Sequence, residues 1–298
     1  MNSFRFSKYL GLGLPTLIFL AGGFMFFQTL FPPGEATDFA IAGSAPTAST
    51  TVVVGNAGPV VSAVSLNNAA SITLTANATT AINVNATITD NNGCGDINNG
   101  TTTIMMYRSA ITSSTCLTTA DNLNCYRLTD FTASSTCSAS AKNTTTTFGV
   151  YYFAQATDAS SSFAAQNWLA TVIFKDPEAA TGTADSSGVE LLTLTALNVT
   201  TSSINYGTLT ASSTTGSTNQ NATSSNAGNS TTTLQLSANS TLTSGANSIA
   251  TSSQRYSTSS FTFAGTSTAL TASPVTVGGF LLTAPTSTTN VAQTTFWG

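Results

Sequence analysis

Asp90, Asn92 and Asp96 crowd around Cys94 in the stretch TDNNGCGDINNG. Carboxylate and amide oxygens at that spacing are the hard donors Ca²⁺ prefers, and the ion takes about six to eight of them. Two carboxylates so close are also the raw material of glycoside hydrolysis. Two details work against a cation loop of the helix–loop–helix kind. Cys94 stands where such a run wants an oxygen, and no glutamate follows at the closing position. Asn and Asp also bond to their own backbone, and Gly93, Gly95 and Gly100 permit left-handed conformations, so the same residues spell a turn. Two readings stay open: a cross-linked turn between strands, or a Ca²⁺ site at Asp90, Asn92 and Asp96 that recruits Asp158, Asp176 or Asp185 from other loops.

The cysteines Cys94, Cys116, Cys125 and Cys137 lie close together and are even in number. Zinc would need CxxC-type pairs or histidine, and the chain has neither. In an exported chain the four read as two disulfides with three conceivable connectivities. Cys116–Cys125 with Cys94–Cys137 is the favoured set: the first closes the short loop CLTTADNLNC, and the second ties the opening turn to the insert that follows.

Other chemistries are poorly supplied. The chain contains no histidine, which removes Ser-His and Cys-His nucleophile pairs and the usual acid–base group near neutral pH. No glycine-rich phosphate cradle follows a strand. All 11 acidic residues lie at or before Glu190, and beyond it Arg255 is the single charge, so residues 200–298 hold no paired carboxylates. The expectation is a protein without catalysis and without a resident cofactor, Ca²⁺ excepted. With 7 basic residues and a net charge of −4 it also lacks the electropositive stripe that nucleic acid requires.

The elements that must carry these residues read as strands. In TAINVNATITD, Ile82, Val84, Ala86 and Ile88 take every second position, the period of a strand with one buried face. PVVSAVSLN, SITLTA, TTTIMMYRS, TTTTFGVYYFAQATD, NWLATVIFKD and VELLTLTALNV continue the series between Asn, Asp, Gly and Ser turns. About seven strands in this arrangement predict an antiparallel sandwich of immunoglobulin-like architecture over residues 59–199, with the cysteines on an insert. The antibody arrangement of Cys, Trp and Cys on core strands is missing, although Trp168 is present. SINYGTL, TTTLQLS, SSFTFAG, VGGFLLTA and VAQTTFW predict a second sandwich over residues 200–298. That unit ends on Phe296, Trp297 and Gly298 in mid-strand, which reads as a sandwich lacking its final strand. TTVVV at residues 50–54 is a candidate donor strand from a neighbouring copy, which would make the chain the subunit of a filament.

Ahead of these lies an uncharged apolar run, residues 9–31, with Arg5 and Lys8 before it and Glu35 and Asp38 after it. It predicts an N-terminal hydrophobic helix that anchors the chain in a membrane with the body outside. The small residues of PGEA offer the alternative of a signal peptide cleaved after Ala36. Residues 1–35 are thus the anchor or signal, and residues 36–58 a flexible linker.

Taken in order, TDNNGCGDINNGTTTIMMYRS, NCYRLTDF, YYFAQATDASSSFAAQNWLATVIFKD, INYGTLT, TSSQRYSTSSFTF and the terminal FWG resemble uncharacterised surface proteins of uncultivated, small-genome bacteria. The resemblance covers roughly residues 60–298 and implies localisation and fold rather than mechanism. The resulting expectation is an anchored or secreted cell-surface protein with a structural or adhesive role, a partner for itself or for a surface glycan or protein. The competing expectation is a carbohydrate- or Ca²⁺-dependent binding module, with Tyr107, Tyr126 and Phe131 either as sugar-stacking rings or as core residues. N-x-[ST] sequons at Asn77, Asn85, Asn99, Asn143, Asn198, Asn221, Asn229 and Asn239 would coat both units in a glycosylating host.

Overall fold

The computed structural model describes residues 55–132 and 136–298, so the anchor and most of the linker, TTVVV included, lie outside the described residues. Residues Gly55–Gly298 form one compact unit. The regular structure of the described residues is mostly antiparallel strand, as Val, Ile, Thr and aromatic enrichment favours.

β1 (Val60–Leu66), β2 (Thr79–Thr89) and β5 (Ala141–Tyr151) make a three-stranded sheet with β2 in the middle. β3 (Thr101–Arg108), β4 (Cys125–Phe131), β6 (Trp168–Lys175) and β7 (Thr181–Asp185) make a four-stranded sheet in the order β4-β3-β6-β7. One core takes side chains from both. Ile82, Val84, Ala86 and Ile88 of β2 meet Ile104 and Met106 of β3 and Trp168, Ala170, Val172 and Phe174 of β6. Burying each large apolar side chain of this set contributes about 1.5–3 kcal/mol relative to leaving it exposed.

The opposite face of β2 and β5 carries no charge between Thr79 and Thr89. Directly opposed pairs bond across it instead: Thr147 donates to Asn83 Oδ1 at 2.7 Å, Thr145 to Asn85 Oδ1 at 2.7 Å, and Thr87 to Asn143 Oδ1 at 2.8 Å. Cross-strand pairs of this kind stabilise a sheet by about 0.2–1 kcal/mol each without any ion pair.

β3 is buried on both faces. Its second face, with Met105 and Tyr107, is covered by a small separate core that includes Cys116 and Cys125. Two single-turn helices, α1 (Cys94–Asn99) and α2 (Ser113–Thr118), stand where the sequence shows only turns. Runs of six residues are too short to show a helical period. α2 is set by its cap, in which the Thr112 hydroxyl accepts from the Thr115 amide at 3.2 Å.

A second core lies further along the chain. β8 (Leu197–Val199), β9 (Gln220–Asn226), β13 (Arg255–Ser257), β14 (Thr268–Ala269) and β16 (Ala292–Trp297) form a sheet in the order β14-β13-β16-β9-β8. β10 (Thr232–Leu236) pairs with β15 (Val275–Leu282), and β11 (Leu242–Ser244) with β12 (Asn247–Ile249). Leu234, Val277, Phe280 and Leu282 of the first pair meet Ala222, Tyr256 and Trp297 of the sheet. Trp297 lies on a central strand, since β16 is bonded to both β13 and β9. VELLTLTALNV, expected as one closing strand, divides: Val189 and Leu191 make isolated bridges to Trp168 and Ile72, whereas Leu197–Val199 joins β9. SITLTA likewise contributes only the Ile72 bridge.

Candidate functional site

The turn after β2 is an Asx-type turn followed by α1. Asp90 is 2% exposed; its Oδ1 accepts the Asn92 amide at 2.8 Å and its carbonyl accepts the Gly93 amide at 3.1 Å. Asn92 turns outward, and its Oδ1 accepts the Ala57 amide at 2.6 Å. Asp96 sits in the first turn of α1, and its carbonyl accepts the Gly100 amide. Two of the oxygens a Ca²⁺ ion would use are therefore already committed to backbone amides. Asp90 Oδ2 is enclosed and has no hydrogen-bond partner. Among the described residues, no three of His, Cys, Asp or Glu are grouped so as to hold a metal.

The same end receives the chain from the linker. Asn56 donates to Asp176 Oδ2 at 2.8 Å, and Asp176 Oδ1 accepts the Ala180 amide at 2.7 Å. Asp176 thus fastens residue 56 to the β6–β7 turn rather than joining Asp90. Asp158 and Asp185 are committed elsewhere: Asp158 accepts from Thr193, and Asp185 from the Thr171 hydroxyl at 2.5 Å.

The disulfides join Cys94 to Cys137 and Cys116 to Cys125, each with Cα atoms 5.6 Å apart. Within the second loop lies a residue the sequence reading passed over, Asp121. Its Oδ1 accepts the amides of Leu123, Asn124 and Cys125 at 3.0, 2.7 and 3.0 Å, and its Oδ2 accepts the Asn124 side chain at 3.1 Å. Partial burial pushes the carboxyl up, but the bonds from Asn124, Leu123 and Cys125 outweigh it and hold its pKa below the ordinary value. The signal was legible: an Asp followed by Asn inside a short disulfide loop is a turn that captures its own amides.

Of the three rings weighed as sugar platforms, Tyr107 and Tyr126 are 5% and 4% exposed, and Phe131 packs against the main core. Tyr107 bonds Thr171 at 2.8 Å. Tyr126 leans on Trp168 and Phe148, donates to the Asn122 carbonyl at 2.5 Å, and has its pKa raised by burial. They are core residues.

A cavity of about 370 Å³ opens elsewhere. The turns after β5 supply Phe153, Gln155, Ser162 and Phe163, and Thr231 and Pro285 close the far side. Gln155 is held by its backbone, its amide donating to the Leu123 carbonyl at 3.0 Å and its carbonyl accepting Trp168 Nε1 at 2.9 Å. Its side-chain Oε1 is enclosed and unpartnered. Arg108 lies over the Phe163 ring at 3.9 Å, itself fixed by Asn124 Oδ1 at 2.9 Å and by Gln166. The stretch TTTTFGVYYFAQATD, residues 144–158, reads as one strand in the sequence; β5 ends at Tyr151, and residues 152–158 turn.

Compared with protein-family models, curated proteins and solved structures, the chain matches none.

Proposed function

We propose that this chain is a non-catalytic cell-surface protein, held by an N-terminal membrane anchor at residues 9–31, in which immunoglobulin-like β-sandwiches serve envelope structure or adhesion. The observation that carries the reading is the use of all four cysteines in two disulfides, the state expected of a chain matured in an oxidising, extracellular setting. The uncharged Thr–Asn ladder on the open face of β2 and β5 supports it, since such a surface is stable without ion pairs and indifferent to salt. No helix among the described residues is long and apolar enough to cross a membrane, so the anchoring assignment rests on residues 9–31 alone. The resemblance to surface proteins of small-genome bacteria points the same way.

The test is display and attachment. The full chain is expressed in a bacterial host and treated with a membrane-impermeant label, and the cells are then scored for attachment to one another and to foreign cells. Labelling on intact cells with increased attachment is the expected result. Labelling only after lysis would refute surface display.

A further inference from the structure

We infer that the groove beside β12 takes an extended strand, and that its occupant is residues 50–54, TTVVV, of a neighbouring copy of this chain. The inference goes beyond surface display and does not depend on it, since it needs only two copies of the chain.

The first observation is an open edge. β11 and β12 pair with each other alone, and every residue of both strands is exposed. Gly245, at φ 59°, opens their two-residue turn, and Ser244 and Asn247 close it as a pair. Pairs in an antiparallel ladder alternate, so the next pair, Thr243 and Ser248, turns its amides and carbonyls away from the partner strand. Among the described residues, no segment outside the hairpin bonds to the backbone of residues 242–249. A lone pair of strands is marginal in water. Exposed edges are normally blunted by lysine, proline or a bulge, and residues 241–250, TLTSGANSIA, carry none of these.

The second is the groove on that edge. It measures about 710 Å³ and is lined by residues 247–250 and by the loop 209–215. Leu209, Leu242 and Ile249 share its wall and are 41%, 42% and 47% exposed. Apolar side chains left exposed together inside a polar rim mark a docking surface. A row of free backbone groups beside exposed Leu and Ile fits an extended apolar strand, with main-chain bonds for affinity and side-chain contacts for specificity. The sheet that holds Trp297 does not compete for such a strand, because β16 is already bonded on both sides.

The third is the donor. Every residue of TTVVV is β-branched, and the chain carries no charge from Phe39 to Thr89. From Leu191 to Gly298 the single charge is Arg255. The whole chain is net −4, so two copies repel over much of their surfaces and meet at least cost where neither is charged. Val54 is joined directly to Gly55, whose carbonyl accepts Asn92 Nδ2 at 3.5 Å, and the next two residues are fastened to Asp176 and Asn92. The donor is therefore tethered at the turn after β2, in the first core. The groove lies beside the second core, whose Tyr206 lines it. Two different surfaces meet, so the contact is head-to-tail and builds a ring or a growing chain of copies rather than a two-fold dimer.

The experiment uses the full chain in detergent. Sedimentation over a dilution series compares the wild type with Val52→Pro/Val53→Pro and with Ser248→Pro, each checked by circular dichroism and a thermal melt. The donor variant removes two consecutive amides, so it strikes a bonding position whichever way the strand is turned. It lies outside Gly55–Gly298 and should leave the melting temperature unmoved. The wild type should show dilution-dependent species larger than two chains, and the donor variant should associate at least roughly tenfold more weakly. Ser248→Pro should match it from the acceptor side. In a second measurement, Val53→Cys chains are mixed with Ser248→Cys chains and mildly oxidised. A two-chain species with positions 53 and 248 bridged is expected by mass mapping. Sedimentation as a single chain, equal association of the donor variant, or no such bridge in the mixture would overturn the proposal. A chain carrying both cysteines that bridges only to itself at every dilution would give the groove to its own segment, and would overturn the neighbouring copy as occupant.

Discussion

Asn226 has no exposed surface, and its side-chain amide donates to the Leu282 carbonyl 3.2 Å away, tying the end of β9 to the end of β15. The same amide reaches the Ser230 and Thr283 carbonyls at 2.7 and 3.1 Å, and its Oδ1 accepts the Gly228 amide at 2.9 Å. One residue thus joins the five-stranded sheet to the pair that covers it. Asn226→Ala leaves several backbone groups buried without partners, and the expected cost is about 2–4 kcal/mol. Denaturant unfolding checks it; a loss under about 1 kcal/mol would mean that water replaces the side chain.

The two disulfides should differ in resistance to reductant. Cys116 and Cys125 are 0% and 1% exposed within the core that covers β3, whereas Cys94 and Cys137 are half-buried. Exchange requires a thiolate to reach the sulfur. Mild reductant followed by alkylation and mass mapping should label Cys94 and Cys137 first. Removing each bond by paired alanine substitution should cost about 3 kcal/mol for the short loop and about 4 kcal/mol for the long one on chain entropy alone. The short-loop variant should lose more than that, because it also opens a buried cluster.

Acid should destabilise the fold partly through Asp121. Its folded pKa lies below its unfolded value, so between the two the unfolded chain binds more protons and stability rises with pH. The contribution is complete above the unfolded value of about 3.9 and is lost as pH falls through the folded one. Asp158 adds to the same slope: burial raises its pKa, but bonds from Thr193 and Ser160 bring it lower overall. Melting temperatures recorded between about pH 2 and 6 should fall at the acid end. Asp121→Asn should melt lower at neutral pH and show a shallower acid fall. Parallel curves for the two proteins would remove Asp121 from the account.

Much of this fold is legible in the amino-acid sequence. The alternation of Ile82, Val84, Ala86 and Ile88 places β2 because one buried face imposes a period of two. The cysteine count and its setting point to oxidation. The short helices are not readable, since both are single turns: α1 is tied by the Cys94–Cys137 disulfide, and α2 by the Thr112 cap and the Cys116–Cys125 disulfide, rather than by pattern. The ring of Tyr107 looks like any exposed aromatic until the Cys116–Cys125 insert is seen to lie over β3, and that of Tyr126 until Phe148 and Trp168 are seen to close round it in the main core. The cavity was the least legible feature of all. Its walls are turns, and turns that gather Phe153, Gln155 and Phe163 have no periodicity to announce which side chains converge.

The two cores should melt together. Asn229 links them: its Oδ1 accepts the Leu194 amide at 2.7 Å, and its Nδ2 donates to the Ala154 and Leu192 carbonyls at 3.0 and 3.2 Å. Gly228 beside it passes so close to the Leu194 carbonyl oxygen that an added Cβ would collide with it. Asn77 extends the seam by donating from its amide to the Ala227 carbonyl at 3.0 Å. Calorimetry on the full chain should show one transition for the residues Gly55–Gly298. Gly228→Ala pushes Leu194 away and should cost about 1–3 kcal/mol, the usual range for overpacking. Because the strain falls on the seam and not inside either core, the endotherm should broaden or split while both sheet systems persist by circular dichroism. A wild-type endotherm already in two parts, or a Gly228→Ala variant that melts as sharply as the parent, would show that the seam does not couple the cores. Asn229→Ala serves as the second probe, since it removes the bonds without adding bulk, and it should broaden the transition in the same direction.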